Sequence, residues 1–157
     1  MSSFYTCLKE GKTNEERIRR FLQDRGHEVV DVSAEPEYQK KDIDCLLRKD
    51  GRSTTLEIKL DRNLHCSGNF FFEDGRERKT GWCDGWLHYC EAEYICFFDD
   101  VSNCGYILDL KRAKAALEKA GRKRVFYDYG DDCNAYALLL PFDAAAANEV
   151  VVLYFNL

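Results

Sequence analysis

Between Asp42 and Leu60 the chain reads as two strands around the dipeptide Asp50-Gly51, and this hairpin constrains what the remainder can fold into. A two-residue hairpin turn needs positive φ at both central positions, which Asp and Gly tolerate, so Asp-Gly between alternating apolar residues is a strong local signal. With that turn in place the register follows. Lys49 faces Arg52, Leu46 faces Thr55 and Asp44 faces Glu57. Side chains alternate faces along a strand, and opposed residues share a face. Asp42, Asp44, Glu57 and Lys59 are therefore expected on one face, and Ile43, Cys45, Leu47, Leu56 and Ile58 on the other.

Two carboxylates directly opposite one another repel. One reading is a solvated outer face of four charges. The other is a site with a cation between the acids: a hard divalent ion takes carboxylate oxygens and keeps several waters, and a lysine beside the pair suits developing negative charge.

Asp44 followed after a hairpin by Glu57-Ile58-Lys59 resembles the core motif of the PD-(D/E)XK nuclease superfamily, with Ile43 where the leading Pro usually stands. The resemblance extends to the order of elements, a helix near Asn14 before the hairpin and Ser67 to Glu73 after it. It covers roughly the first two thirds of the chain, through the strand near Ile95, and is similar to compact phage or mobile-element endonucleases. It implies an α/β (α+β) fold, a central mixed β-sheet flanked by helices with a restriction-endonuclease-like core, as a single domain over residues 1–157.

The resemblance also implies a divalent-metal-dependent endonuclease acting on DNA. Asp44, Glu57 and the Ile58 carbonyl would hold Mg2+ (or Mn2+), with Lys59 orienting the attacking water. The first helix of such proteins often adds an acid. Glu15 is the candidate by helical face, three residues before Ile18 and seven before Leu22, with Glu16 in reserve. Gln39 resembles a position often kept polar ahead of the acidic strand. A Holliday-junction resolvase, one variant, requires a homodimer. The alternative is a catalytically inactive member of the same fold that binds nucleic acid or protein, and a third class is an interaction protein built on the aromatics.

Composition sets the outer limits. The chain has 157 residues, 45% of them hydrophobic and 13% aromatic, enough for one domain with a core. The net charge of −5 argues mildly against a nucleic-acid partner. Basic groups at Arg17 to Arg20, Lys111 to Lys114 and Arg122 to Arg124 are candidates for phosphate contact or solvated faces. None of the eight cysteines forms a Cys-x-x-Cys pair, so most are expected to be small buried hydrophobes and not zinc ligands. Met1 to Tyr5 shows no secretory pattern, which leads to an expected cytoplasmic location (the host cytoplasm if phage-encoded) with thiols reduced. No apolar run approaches the roughly 20 residues needed to span a membrane.

The remaining elements are read from periodicity and breakers. A lead-in at Phe4 to Leu8 precedes a helix capped at Thr13 or Asn14 and ended by Gly26. A strand follows at Glu28 to Val32. Phe70-Phe71-Phe72 reads as a buried central strand closed by Glu73, and Asp74 to Gly81 as a charged loop able to touch a nucleic-acid backbone. A short helix is expected over Trp82 to Tyr89, strands over Tyr94 to Phe98 and Gly105 to Leu108, and a helix from Asp109 or Leu110 to Ala120 stopped by Gly121. Strands at Val125 to Tyr129 and Tyr136 to Pro141, one helical turn from Phe142, and a strand at Val150 to Phe155 complete the chain. Gly130-Asp131-Asp132 reads as a turn. His65 is a loop histidine suited to phosphate contact or proton transfer, or to neither.

Overall fold

Asp50 and Gly51 both take positive φ, 51° and 74°, and the hairpin closes around them. The computed structural model describes the backbone of residues 4–120, 124–128 and 133–157, and the side chains of residues 11–120, 124–126 and 134–157. Strand β2 (Cys45–Lys49) pairs antiparallel with β3 (Arg52–Leu60) with Lys49 opposite Arg52 and Leu46 opposite Thr55. The turn chemistry alone thus sets the register.

The architecture is mixed α/β. Helix α1 (Phe4–Asp24) leads to β1 (Glu28–Asp31) and the short α2 (Pro36–Gln39), then the β2–β3 hairpin. The short α3 (Leu64–Ser67) precedes β4 (Asn69–Arg78) and β5 (Gly81–Asp84). Next come the short α4 (Trp86–Tyr89), β6 (Tyr94–Asp99), β7 (Cys104–Asp109) and α5 (Leu110–Lys119). Strands β8 (Arg124–Asp128) and β9 (Cys133–Pro141), the turn-like α6 (Phe142–Ala147) and β10 (Val151–Asn156) complete the order. A six-stranded sheet runs β1-β2-β3-β6-β7-β10, and a four-stranded antiparallel sheet runs β5-β4-β9-β8. Within the six-stranded sheet β3 and β6 are parallel and every other pair is antiparallel.

Two cores flank the larger sheet. Ile18 and Leu22 of α1 pack with Cys45, Leu47, Leu56, Ile58, Cys96, Phe98 and Phe155 on one face. On the other, Ile95, Phe97 and Leu108 meet Phe70, Phe72, Leu138 and Leu140 of the second sheet and Ala113, Ala116 and Leu117 of α5. Ring contacts of Phe97 with Phe70 and Phe72, each at 5.4 Å, tie the sheets together.

Several expectations change. Thr13 and Asn14 are helix interior, because α1 begins at Phe4; Asn14 is buried and donates to Asp100 Oδ2 at 3.1 Å, a tertiary bond in place of a cap. Phe70 to Phe72 do form a strand, but in the second sheet, with Phe70 and Phe72 inward and Phe71 half-buried. A continuous apolar run read as buried on both faces is here an alternating strand. Asp74 to Gly81 is a hairpin and not a loop, since Gly75 to Arg78 pair with Asp84 to Gly81. A bulge at Asp74 interrupts β4, and Gly85 follows β5 so closely that a Cβ there would lie 2.2 Å from the Glu73 carbonyl oxygen. The expected helix from Trp82 therefore shortens to Trp86–Tyr89. Asp109 caps α5 by accepting from Arg112 N–H at 2.9 Å. Gly121 and the Gly130-Asp131-Asp132 turn lie outside the described residues. Among the described residues, no helix is long and apolar enough to cross a membrane.

Candidate functional site

Strand β3 turns Leu56 and Ile58 into the core under α1, so the alternating positions Glu57 and Lys59 face the second sheet. They are not on a solvated outer face. Glu57 is 4% exposed, and the Lys59 side chain is 24% exposed with its ammonium 5.2 Å from the centre of the Trp86 ring.

Asp42 and Asp44 come from the segment entering β2. Asp42 takes φ 54°, a left-handed conformation that Asp tolerates better than most residues, and the strand does not begin until Cys45. This break sends Ile43 into the core between the sheets, contrary to its expected place beside Cys45 and Leu47. It also leaves the Ile58 N–H without a main-chain partner from β2, and the Asp44 carboxylate accepts that N–H at 2.9 Å. Asp44 is held by its own backbone too. Its N–H donates to Leu56 O at 3.0 Å and its carbonyl accepts from Val32 N–H at 2.9 Å.

The four side chains form one network. Lys59 Nζ lies 2.6 Å from Glu57 Oε1 and 2.7 Å from Asp42 Oδ2. The Glu57 side chain hydrogen-bonds to Asp44. Burial, then the charges of Asp44 and Asp42, push the Glu57 carboxyl up to about 9, against the opposing pull of the Lys59 ammonium. Burial also raises Asp44, against the hydrogen bonds from Ile58 and Glu57. Burial works against the Lys59 ammonium, but Glu57 and Asp42 more than offset it and Lys59 stays charged. The result is one cation held between Asp42 and Glu57, with the Asp44 carboxyl buried against Glu57. No family model, curated protein or solved structure matches this chain.

The helix face separates Glu15 from Glu16. Glu15 is half-buried, and its carboxyl is raised by burial and then by the charge of Asp44; Arg19 stands 3.7 Å away and bridges to Asp31 at 3.2 Å. Glu16 is exposed and pairs with Arg20 at 3.1 Å. Only the backbone of Ile58 is available to the cluster, since its side chain lies in the opposite core. Gln39 is exposed and donates to the Ser33 carbonyl at 2.9 Å. Glu73 receives a forked pair of hydrogen bonds from Arg76 at 3.0 and 2.7 Å. His65 instead meets Asp99.

Asp42, Trp86 and Tyr89 were not singled out as site residues. Asp42 did lie on the expected face, and alternation was the signal for it. Trp86 and Tyr89 arrive through α4, from a distant part of the chain; the Tyr89 hydroxyl is raised by burial and by Asp42. Among the described residues no three His, Cys, Asp or Glu side chains stand as a ready metal cage. A groove of about 530 Å³ lies away from the cluster, lined by Leu22, His27, Leu47, Lys49, Ile107 and Leu153 among others. Many of the basic residues expected to track phosphates are committed internally: Arg17 to Asn103, Arg19 to Asp31, Arg112 to Asp109 and Lys114 to the Cys90 carbonyl. Arg122 and Lys123 lie outside the described residues.

Proposed function

We propose that this protein is a divalent-metal-dependent endonuclease of PD-(D/E)XK type, with a restriction-endonuclease-like core, that hydrolyses phosphodiester bonds in DNA in a cytoplasmic setting. The observation that carries the reading is the buried Asp44–Glu57 pair with Lys59 fixed 2.6 Å from Glu57. A pair of buried carboxyls whose charges are disfavoured by burial suits a hard cation, which would stabilise both charges.

The donor set fits magnesium or manganese. It is all oxygen, with Asp44 and Glu57 as direct ligands, the Ile58 carbonyl as a third and Glu15 on the flank, and the rest left to water. When bound, such an ion would neutralise phosphate charge and lower the pKa of a water. The protein's own groups do the positioning. Asp42 and the Trp86 ring hold the Lys59 ammonium at the rim of the acids, where it can orient a water and offset charge on the phosphate in the transition state. The Ile58 N–H fixes the Asp44 carboxylate, so its orientation beside Glu57 is defined. The second sheet and Trp86 exclude bulk solvent and strengthen each of these interactions.

A second reading, an inactive binding module on the same fold, is favoured by one feature: Lys59 is already held by two acids, a self-neutralised arrangement. Incubation with single-stranded, duplex and four-way branched DNA, in magnesium, manganese or chelator, separates the two. Cleavage that needs metal supports the nuclease, and the preferred substrate distinguishes a dimeric junction resolvase from a general endonuclease. Binding without cleavage on every substrate supports the module.

A further inference from the structure

Beyond Lys59 the same face of the sheet continues into a second polar cluster. Asp99 ends β6 and is fully buried. Its Oδ1 accepts the Val101 and Ser102 N–H groups at 2.9 and 3.3 Å. Its Oδ2 meets Nδ1 of His65 on α3. Burial alone would raise the Asp99 carboxyl, but the His65 and backbone hydrogen bonds hold it below its ordinary value, so it is ionised. An ionised acceptor at Nδ1 places the imidazole proton there and leaves Nε2 as the acceptor. Nε2 lies 3.2 Å from the thiol of Cys66, which is exposed and free.

Thiol, imidazole and buried carboxylate thus stand in the order nucleophile, base and orienting acid. We propose that Cys66 is an activated thiol that exchanges with small disulfides, with His65 as its base and Asp99 as the positioning residue. The balance of the step is simple. The Cys66 proton passes to His65 Nε2, and the thiolate attacks one sulfur of the disulfide. A new S–S bond forms as the old one breaks, and the departing thiolate takes the proton from His65. Cys66 ends in a mixed disulfide with one half of the small disulfide, and the other half leaves as a thiol. The neighbouring charges are Asp61, whose carboxyl is raised by burial and also by Asp99, and the Arg62–Asp100 pair at 2.9 Å. The imidazolium formed in the step is stabilised by the Asp99 carboxylate at its Nδ1.

The chain contains its own references. Cys83 on β5 is exposed and free, and Cys45 is buried in the core under α1. The full chain is treated with oxidised glutathione at neutral pH, quenched, digested, and each cysteine quantified by mass spectrometry. Cys66 is expected to react about tenfold faster than Cys83, because His65 Nε2 stands 3.2 Å away to take its proton during the attack. In His65→Gln, at an exposed position, the Cys66 rate falls to about that of Cys83 while Cys83 itself is unchanged. Asp99→Asn lowers Cys66 reactivity in the same direction. If that variant loosens the fold, Cys45 and Cys83 accelerate together, and His65→Gln then carries the decision. Equal rates at Cys66 and Cys83 in the native chain, or a Cys66 rate untouched by His65→Gln, would overturn the proposal. Because no nuclease substrate or metal enters the experiment, its outcome is independent of the endonuclease reading.

Discussion

At Leu56 and Glu57 the two faces of β3 are almost equally buried and chemically opposite. Leu56 is 0% exposed and Glu57 is 4% exposed, one residue apart on the same strand. Leu56 and Ile58 sit under α1 among aliphatic and aromatic neighbours and stabilise the fold by leaving water. Glu57 and Lys59 face the second sheet and must be desolvated as charges, or as one charge and one displaced proton. Buried ion pairs are rarely more stable than apolar residues of the same volume. A strand that could carry aliphatic side chains on both faces carries them on one. The acids on the other are best understood as serving a ligand, and the Glu57 carboxyl, raised to about 9, is where the strain of that arrangement is stored.

The comparison can be broken by substituting each face in turn. The largest effect is expected for Lys59→Ala on cleavage, a loss of roughly 100- to 1000-fold in rate under magnesium, as for removal of a charge-stabilising donor. An unchanged rate would remove Lys59 from the chemistry. Next is Leu56→Ala on the apolar face, which should cost about 2–5 kcal/mol by urea denaturation while the intrinsic cleavage rate of the folded fraction is kept. Glu57→Gln should do the reverse. Because burial already disfavours the Glu57 charge, the variant should lie within about 1 kcal/mol of the parent in stability, yet lose metal-dependent activity.

The pH profile sharpens this further. A carboxyl whose folded pKa is raised contributes stability fully below its unfolded value of 4.5 and loses that contribution as pH rises through about 9. In the absence of metal the parent should therefore weaken relative to Glu57→Gln between pH 4.5 and 9, as followed by thermal unfolding. A parallel pair of curves would contradict a raised Glu57 carboxyl. The smallest effect separates the two helix acids. Glu16→Gln breaks only an exposed pair worth under about 1 kcal/mol and should leave cleavage unchanged, whereas Glu15→Gln, facing Asp44, should lower it.

How much of this was legible in the sequence depends on how local each cause is. The hairpin register follows from Asp50-Gly51 alone, and with it the shared face of Glu57 and Lys59. The facing of Glu15 over Glu16 follows from helical period. The break at Asp42 was not legible: period-two alternation assumes a continuous strand, and a left-handed Asp resets the face for Ile43 while letting the Asp44 side chain substitute for a ladder acceptor. The second sheet was missed because Phe70-Phe71-Phe72 carries no polar residue to mark its half-buried side, and only the pairing of β4 with β9, some 60 residues on, reveals it. Trp86 and the His65–Asp99 contact likewise join segments far apart in the chain, and periodicity has no view of them.

The central claim is that the charged face of β3 exists to hold a cation, and manganese binding to the full chain tests it most directly. Titration of Mn2+ followed by electron paramagnetic resonance, on the parent and on Asp44→Asn, needs neither substrate nor turnover. The account predicts saturable binding in the parent that weakens by about tenfold or more in the variant, with both chains equally folded. Binding unaffected by Asp44→Asn, or a folded parent that takes up no manganese, would contradict it.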